Sequence, residues 1–161
     1  YEVLRGGAGA PLGPITPQPI DTTTFTDTGV TNDTDYQYAV RAVRADAEVT
    51  VTGQASAAVA AAPAKTTPPT TPTGLVAVPS PGAIRLAWNP IPDRDVASYV
   101  VYRASDRGDF VRIATTPPVG TVYADREVQA GTTYRYAVTA VDNARRPNES
   151  ARSNEVSVRA Q

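Results

Sequence analysis

The residues of this chain best able to do chemistry are its carboxylates, and their spacing decides what they could do. Asp125 and Glu127 lie two positions apart. Hydrolysis of a glycosidic bond needs two carboxyl groups about 5–9.5 Å apart across a cleft. A pair in one strand-to-loop segment has no cleft between its members, so it is read as non-catalytic. Asp93, Asp95, Asp106 and Asp109 form a second group. They lack the ligand spacing of a calcium-binding helix–loop–helix and fall in two different turns. They are read as carboxylates of solvated loops, with no metal expected. Arg107-Gly108-Asp109 reads as a polar hairpin turn in which Gly108 supplies a positive φ. Asn32-Asp33-Thr34 and Asn148-Glu149-Ser150 fit the glycosylation sequon in expected loops. Tyr102 and Tyr123 are candidates for stacking on a sugar ring. A single exposed tyrosine is ordinary surface, whereas two or three in a plane would make a platform.

Composition removes most other chemistry. The 161 residues include no histidine, cysteine or methionine. Disulfides, thiolate or imidazole metal sites, a cysteine nucleophile and any histidine-dependent triad are therefore excluded. No cofactor is expected. Fifteen Lys+Arg stand against 16 Asp+Glu, a net charge of -1. Phosphate contacts need a concentrated basic face, so a nucleic-acid partner is not expected. No run of eighteen apolar residues exists, so no membrane insertion is expected either. The opening YEVLRGG has neither the basic leader nor the apolar core of a signal peptide. The sequence is read as starting after any export signal or within a longer protein. Abundant Thr, Pro and Ala with little lysine suits an exported bacterial protein, outside the cell or at its surface.

A repeat organises the chain. Tyr1-Glu2-Val3-Leu4-Arg5 resembles Tyr99-Val100-Val101-Tyr102-Arg103, an offset of 98. The same offset carries Phe25 to Tyr123, Asp27 to Asp125, and Val43 to Val141. It also carries Tyr36-Gln37-Tyr38-Ala39-Val40 to Tyr134-Arg135-Tyr136-Ala137-Val138. Near the end it slips by one, pairing Ser56 and Val59 with Ser153 and Val156. Between the copies, residues 60–73 read AAAPAKTTPPTTPT, which buries little apolar surface and favours extended backbone. The organisation expected is a partial unit over 1–60, a linker over 61–73 and a complete unit over 74–161.

The complete copy reads as strands. Leu75 and the following Val-Ala-Val form the first, stopped by Pro79 and Pro81. Ile84, Leu86 and Trp88 alternate with smaller or charged neighbours, the period of a half-buried strand. Tyr99, Val101 and Arg103 share one face of the third, with Val100 and Tyr102 on the other. Short strands follow near Phe110 to Ile113 and over 121–124. The longest, 132–141, points Tyr134, Tyr136, Val138 and Ala140 inward, and Val156 and Val158 mark the last. Seven strands with turn signals between them indicate an all-β, two-sheet sandwich with its core on Trp88.

With these residues in view, the second unit resembles a fibronectin type III domain over residues 68–160. The resemblance rests on TPTGLVAV, Trp88, YVVYR, the Asp125 segment and Val128 to Tyr134. Ser153-Asn154-Glu155-Val156 matches the family's approach to its last strand. It implies tandem immunoglobulin-like sandwiches in which Tyr134 is a tyrosine corner, with Val128 the apolar residue before it. The first unit resembles the family only from the third strand onward, with Tyr36 as its corner and Tyr38 and Val40 as core. It has no first or second strand, no core tryptophan, a long loop over Gly6 to Pro19, and another loop around Ala45 to Glu48. Val3, Tyr38 and Val40 are then expected to lie open beside a bare strand edge, covered in the native particle by preceding sequence or by another subunit. In some family members an RGD loop binds integrins, but between the sixth and seventh strands; here it falls between the third and fourth. The function expected is a non-catalytic extracellular spacer or assembly module. The alternative is a carbohydrate-associated accessory module of a secreted polysaccharide-degrading enzyme, with a polysaccharide as a further partner.

Overall fold

The blocks Tyr1 to Arg5 and Tyr36 to Val40, separated by some thirty residues of sequence, meet as neighbouring strands. The computed structural model of the chain describes residues 1–45 and 49–161 and divides them into the units Tyr1–Lys65 and Thr66–Gln161. In the first unit β1 (Glu2–Gly7) turns into the two-residue β2 (Gly13–Pro14). It pairs on its other side with β3 (Tyr36–Arg41), placing Val3 opposite Val40 and Arg5 opposite Tyr38. A short hairpin, β4 (Val43–Ala45) and β5 (Thr50–Thr52), extends beyond β3. β6 (Val59–Ala61) pairs with β3 and completes a sheet of order β2-β1-β3-β6. The expected loop at Ala45 to Glu48 falls in part on residues 46–48, outside those described.

The long loop expected over Gly6 to Pro19 is partly strand, because β2 lies within it. β1 itself has neighbours on both edges. Beyond β2 the chain folds back along β1, where Ile15 N–H donates to Val3 O at 2.9 Å and Ile20 N–H to Tyr1 O at 2.8 Å. The Val3 side chain is consequently buried rather than open. Residues 22–27, which the repeat aligns with a strand of the second unit, form none. A strand needs a hydrogen-bonding neighbour, and the first unit has no counterpart to the one that supplies it in the second.

The second unit has β7 (Val76–Ser80), β8 (Ala83–Ala87), β9 (Val96–Ser105), β10 (Val111–Thr116), β11 (Val122–Asp125), β12 (Thr133–Asp142) and β13 (Val156–Arg159). They form sheets of order β10-β9-β12-β13 and β11-β8-β7. β7 runs through Pro79 instead of stopping there. Its position at a sheet edge tolerates a residue without an N–H. Leu75, Ile84, Leu86 and Trp88 from one sheet enclose Tyr99, Val101, Tyr134, Tyr136, Val138 and Ala140 from the other. Trp88 meets Tyr99 edge-on, centroids 5.6 Å apart, the favoured aromatic geometry.

Both units reach into the stretch read as linker. Ala61 pairs with Tyr36, and Asp33 N–H donates to Pro63 O at 2.7 Å. On the other side Thr70 N–H donates to Asp93, Asn89 N–H donates to Thr73 O at 2.9 Å, and Pro72 is buried.

Candidate functional site

Strand alternation brings Arg103 of β9, Asp125 at the end of β11 and Tyr136 of β12 to the inner face of the second unit. Asp125 is almost fully buried. Arg103 Nη1 donates to both of its oxygens, at 3.1 and 2.8 Å, and to Glu127 O at 2.8 Å. The Tyr136 hydroxyl donates to Oδ2 at 2.8 Å and Glu127 N–H to Oδ1 at 3.0 Å. Burial, then the Asp125 charge, pushes the Tyr136 hydroxyl well above its ordinary value. Burial works against the Arg103 charge, yet its bond to Asp125 leaves the guanidinium raised. Its plane stands over the Tyr134 ring at 5.3 Å. Tyr134 in turn accepts from Gln129 N–H at 3.1 Å, the geometry of a tyrosine corner.

The first unit holds the same constellation 98 positions earlier. Arg5 Nη1 donates to Asp27 at 2.7 Å and to Gly29 O at 2.7 Å. Asp27 also accepts from the Tyr38 hydroxyl and from Gly29 N–H, each at 2.9 Å. Thr31 N–H donates to the Tyr36 hydroxyl at 3.0 Å, and Arg5 lies 5.3 Å over the Tyr36 ring. Desolvation pushes Asp27 upward, but the bonds from Gly29, Tyr38 and Arg5 outweigh it and hold the carboxyl below its ordinary value. Reading the sequence for catalysis missed this role for Asp27 and Asp125. The signal was present: Arg5, Asp27, Tyr36 and Tyr38 all obey the repeat offset. With every oxygen of Asp125 occupied and Glu127 exposed, the Asp125–Glu127 pair offers no acid and base across a cleft.

The two candidate sugar-stacking tyrosines lie in different sheets and share no plane. Tyr102 is half-buried on the outer face of β9, where its hydroxyl donates to Glu149 at 2.6 Å and Arg152 covers its ring at 5.2 Å. Arg152 is shared with Phe110, which also carries Arg135. Tyr123 stands opposite Leu86 and packs against the core. Arg107-Gly108-Asp109 is the β9–β10 turn, but Gly108 has no positive φ. A Cβ there would come within 2.7 Å of Ser105 Oγ, so a larger residue needs that hydroxyl to turn away. Asp93 accepts from Thr70, and Asn143 N–H donates to Asp95 O. Among the described residues no three His, Cys, Asp or Glu side chains are grouped to hold a metal. Asn148 donates its side-chain amide to Asp142 at 2.9 Å. Asp142 is wholly buried and also accepts from the N–H groups of Ala144 and Asn148, so it shapes the loop after β12. Asn32 is exposed.

A groove of about 770 Å³ opens on the inner face of the first unit's sheet. Tyr1, Val3, Ile20, Phe25, Tyr38 and Val40 line it, with Asp27 at its floor. Val40 is 43% exposed, whereas Tyr38 is half-buried and bonded to Asp27.

No family model matches the chain. Exoglucanase B of Cellulomonas fimi is 34% identical over 98% of the chain, and an amylopullulanase of Thermoanaerobacter thermohydrosulfuricus is 43% identical over 52%. The chain spans only 14% and 5% of the lengths of these two proteins. Among solved structures, the FN1-FN3 domains of chicken CNTN1 superpose over 99% of the chain with a TM-score of 0.58 at 16% identity, a likeness of fold. An Fn3-like protein from Clostridium thermocellum is 35% identical, with a TM-score of 0.50, and the match covers 59% of this chain and 96% of that one. Such domains are typical of extracellular and cell-surface proteins. The chain is a non-catalytic accessory or linker module. A relative matched along nearly its whole length, the two-sheet topology and the corner tyrosines agree: the chain belongs to the fibronectin type III family.

Proposed function

We propose that this chain is an accessory spacer of a secreted polysaccharide-degrading enzyme, holding other domains apart without binding the polysaccharide itself. The observation that carries the reading is the extent of the likeness to Exoglucanase B. It runs through both units and the stretch between them, over 98% of the chain, so the two-unit arrangement as a whole has a counterpart there. A spacer needs no binding site, and the Arg–Asp–Tyr cluster on each inner face is satisfied internally. The arginine-covered Tyr102 and core-packed Tyr123 favour a spacer over a sugar-binding module.

The test has two parts. Reading the gene beyond both ends of this sequence is expected to show a glycoside-hydrolase domain in the same frame. A reading frame of adhesive or filament-forming domains alone would overturn the enzyme setting. Sedimentation of the purified chain with insoluble cellulose and starch is expected to leave it in the supernatant. Saturable retention would replace the spacer with a sugar-binding role.

A further inference from the structure

The polar cluster of the inner face is present in both units, but the stacked arginines and rings of the outer face belong to the second alone. At the repeat offset Tyr102, Phe110, Arg112 and Arg135 fall on Leu4, Leu12, Pro14 and Gln37. Arg152 falls on Gln54 or, past the slip, on Ala55. Leu4 is buried all the same, so the sheet is covered at this position without a ring or a guanidinium. The arginines of the second unit differ in what they hold. Arg135 carries Phe110 and is bonded to Glu155 and to Gly108 O, at 3.3 and 2.8 Å. Arg152 is exposed and lies against two rings, 5.2 Å from the Tyr102 centroid and 4.7 Å from that of Phe110. Among the described residues none accepts from its N–H groups. Glu149 does not serve it, because Oε1 accepts from the Tyr102 and Thr139 hydroxyls, at 2.6 Å each. Arg112 is exposed on β10 directly across from Tyr102, and its acceptor is the uncharged Thr115 hydroxyl at 2.6 Å. Burial and the bond to Glu149 raise the Tyr102 hydroxyl, and the charges of Arg112 and Arg152 both pull against that rise.

We propose that Arg152 and Arg112 form a binding site for the carboxylate groups of an acidic polysaccharide, a polyuronate chain lying across β9 and β10. A guanidinium fixed against rings has already lost the freedom that binding would otherwise take from it. Its open edge is the fork that matches a carboxylate, and such charge-assisted pairs are the stronger hydrogen bonds. The floor of the face favours a sugar chain over a peptide. Val100 and Ala104 flank Tyr102 on this face and Ala137 lies across from it, all at most 1% exposed. No apolar pocket is therefore open there for a peptide side chain. A uronate unit presents a carboxylate and hydroxyls and needs no such pocket. A neutral glucan lacks the carboxylate, and Arg152 covers the Tyr102 ring on which it would stack. The inference goes beyond the spacer role and does not rest on it, since the polymer bound is anionic and the spacer stands clear of neutral glucans.

Isothermal titration of the full chain with polygalacturonate is expected to show saturable binding that weakens with added salt. Fully methyl-esterified pectin, with the same backbone and no charge, is expected not to bind. Arg152→Gln is expected to lower the affinity for polygalacturonate at least about tenfold, and Arg112→Gln to lower it several-fold. Arg85→Gln, an exposed position in the other sheet, is expected to leave it unchanged. Absence of binding to polygalacturonate, or undiminished binding by Arg152→Gln, would overturn the site. A loss in Arg85→Gln as large as in Arg152→Gln would also overturn it, since any arginine would then serve. Where Arg152→Gln lowers the melting temperature as well, Arg112→Gln decides, because Arg112 carries no ring: unchanged affinity in that variant would overturn the site. Poly-L-glutamate binding as tightly as polygalacturonate would overturn the choice of a polysaccharide and assign the arginines to an acidic protein segment. Retention on cellulose or starch, by contrast, bears on the spacer reading alone.

Discussion

The Asp125 carboxylate accepts from Arg103, Tyr136 and the Glu127 backbone while almost fully buried, so its loss leaves a guanidinium and a hydroxyl without their acceptor. Breaking a buried ion pair from one side costs about 3–5 kcal/mol. Asp125→Ala is expected to destabilise the second unit by that amount. Tyr136→Phe removes one bond to a charged acceptor and is expected to cost about 1.5–3 kcal/mol. Urea titration of the full chain, followed by emission of its single tryptophan, reports this unit selectively. Equal losses for both variants would show that the ion pair contributes nothing beyond the hydroxyl. Asp27 gives a pH dependence in the first unit. Its carboxyl is held below the ordinary value when folded, so its stabilisation is full above the unfolded value and is lost as pH falls through the folded one. Amide exchange of β3, corrected for its intrinsic rate, is expected to lose protection from about pH 4 downward. Asp27→Asn should flatten that decline. The pairs Arg5–Asp27 and Arg103–Asp125 were legible only as repeated letters. Sequence spacing does not say that residues 22 apart converge on one face, and a carboxylate near a loop reads as solvated until the strand pairing is known.

At the scale of elements, the strands were legible wherever alternation met a turn residue, as in Ile84-Arg85-Leu86 before Asn89-Pro90. Where neighbours decide, local pattern fell short. Pro79 reads as a stop, but it sits on a sheet edge whose N–H needs no partner. Phe25 to Asp27 reads as a strand by its repeat, but no strand lies beside it to hold it. β2 was invisible because two residues carry no period. Trp88, just past the end of β8, donates its backbone N–H to Thr121 O at 3.1 Å and gives its ring to the core. Trp88→Ala is expected to cost about 3–5 kcal/mol, measured by thermal unfolding followed by circular dichroism. A cost near zero would remove it from the core. Gly74 governs the approach to β7. It has φ +69°, and a Cβ there would clash with the Asn89 side-chain amide. Gly74→Ala is expected to destabilise the second unit by about 1–3 kcal/mol, read by the same urea titration.

For the whole molecule, the two units carry the same polar cluster but unequal cover. Amides of β3 are therefore expected to exchange at least about tenfold faster than the equivalent amides of β12, because opening the first unit exposes less new apolar surface. Equal rates in exchange mass spectrometry would mean that the open face costs the first unit nothing. The repeat has a consequence for descent as well. Every partner of Arg5 in its cluster, from Asp27 to Tyr36, lies in its own unit, and the same holds for Arg103. A recombination event that copies one unit therefore copies a finished set of contacts, with no surface elsewhere that must mutate to match. Gene duplication could add or drop such units without any copy having to relearn how to fold.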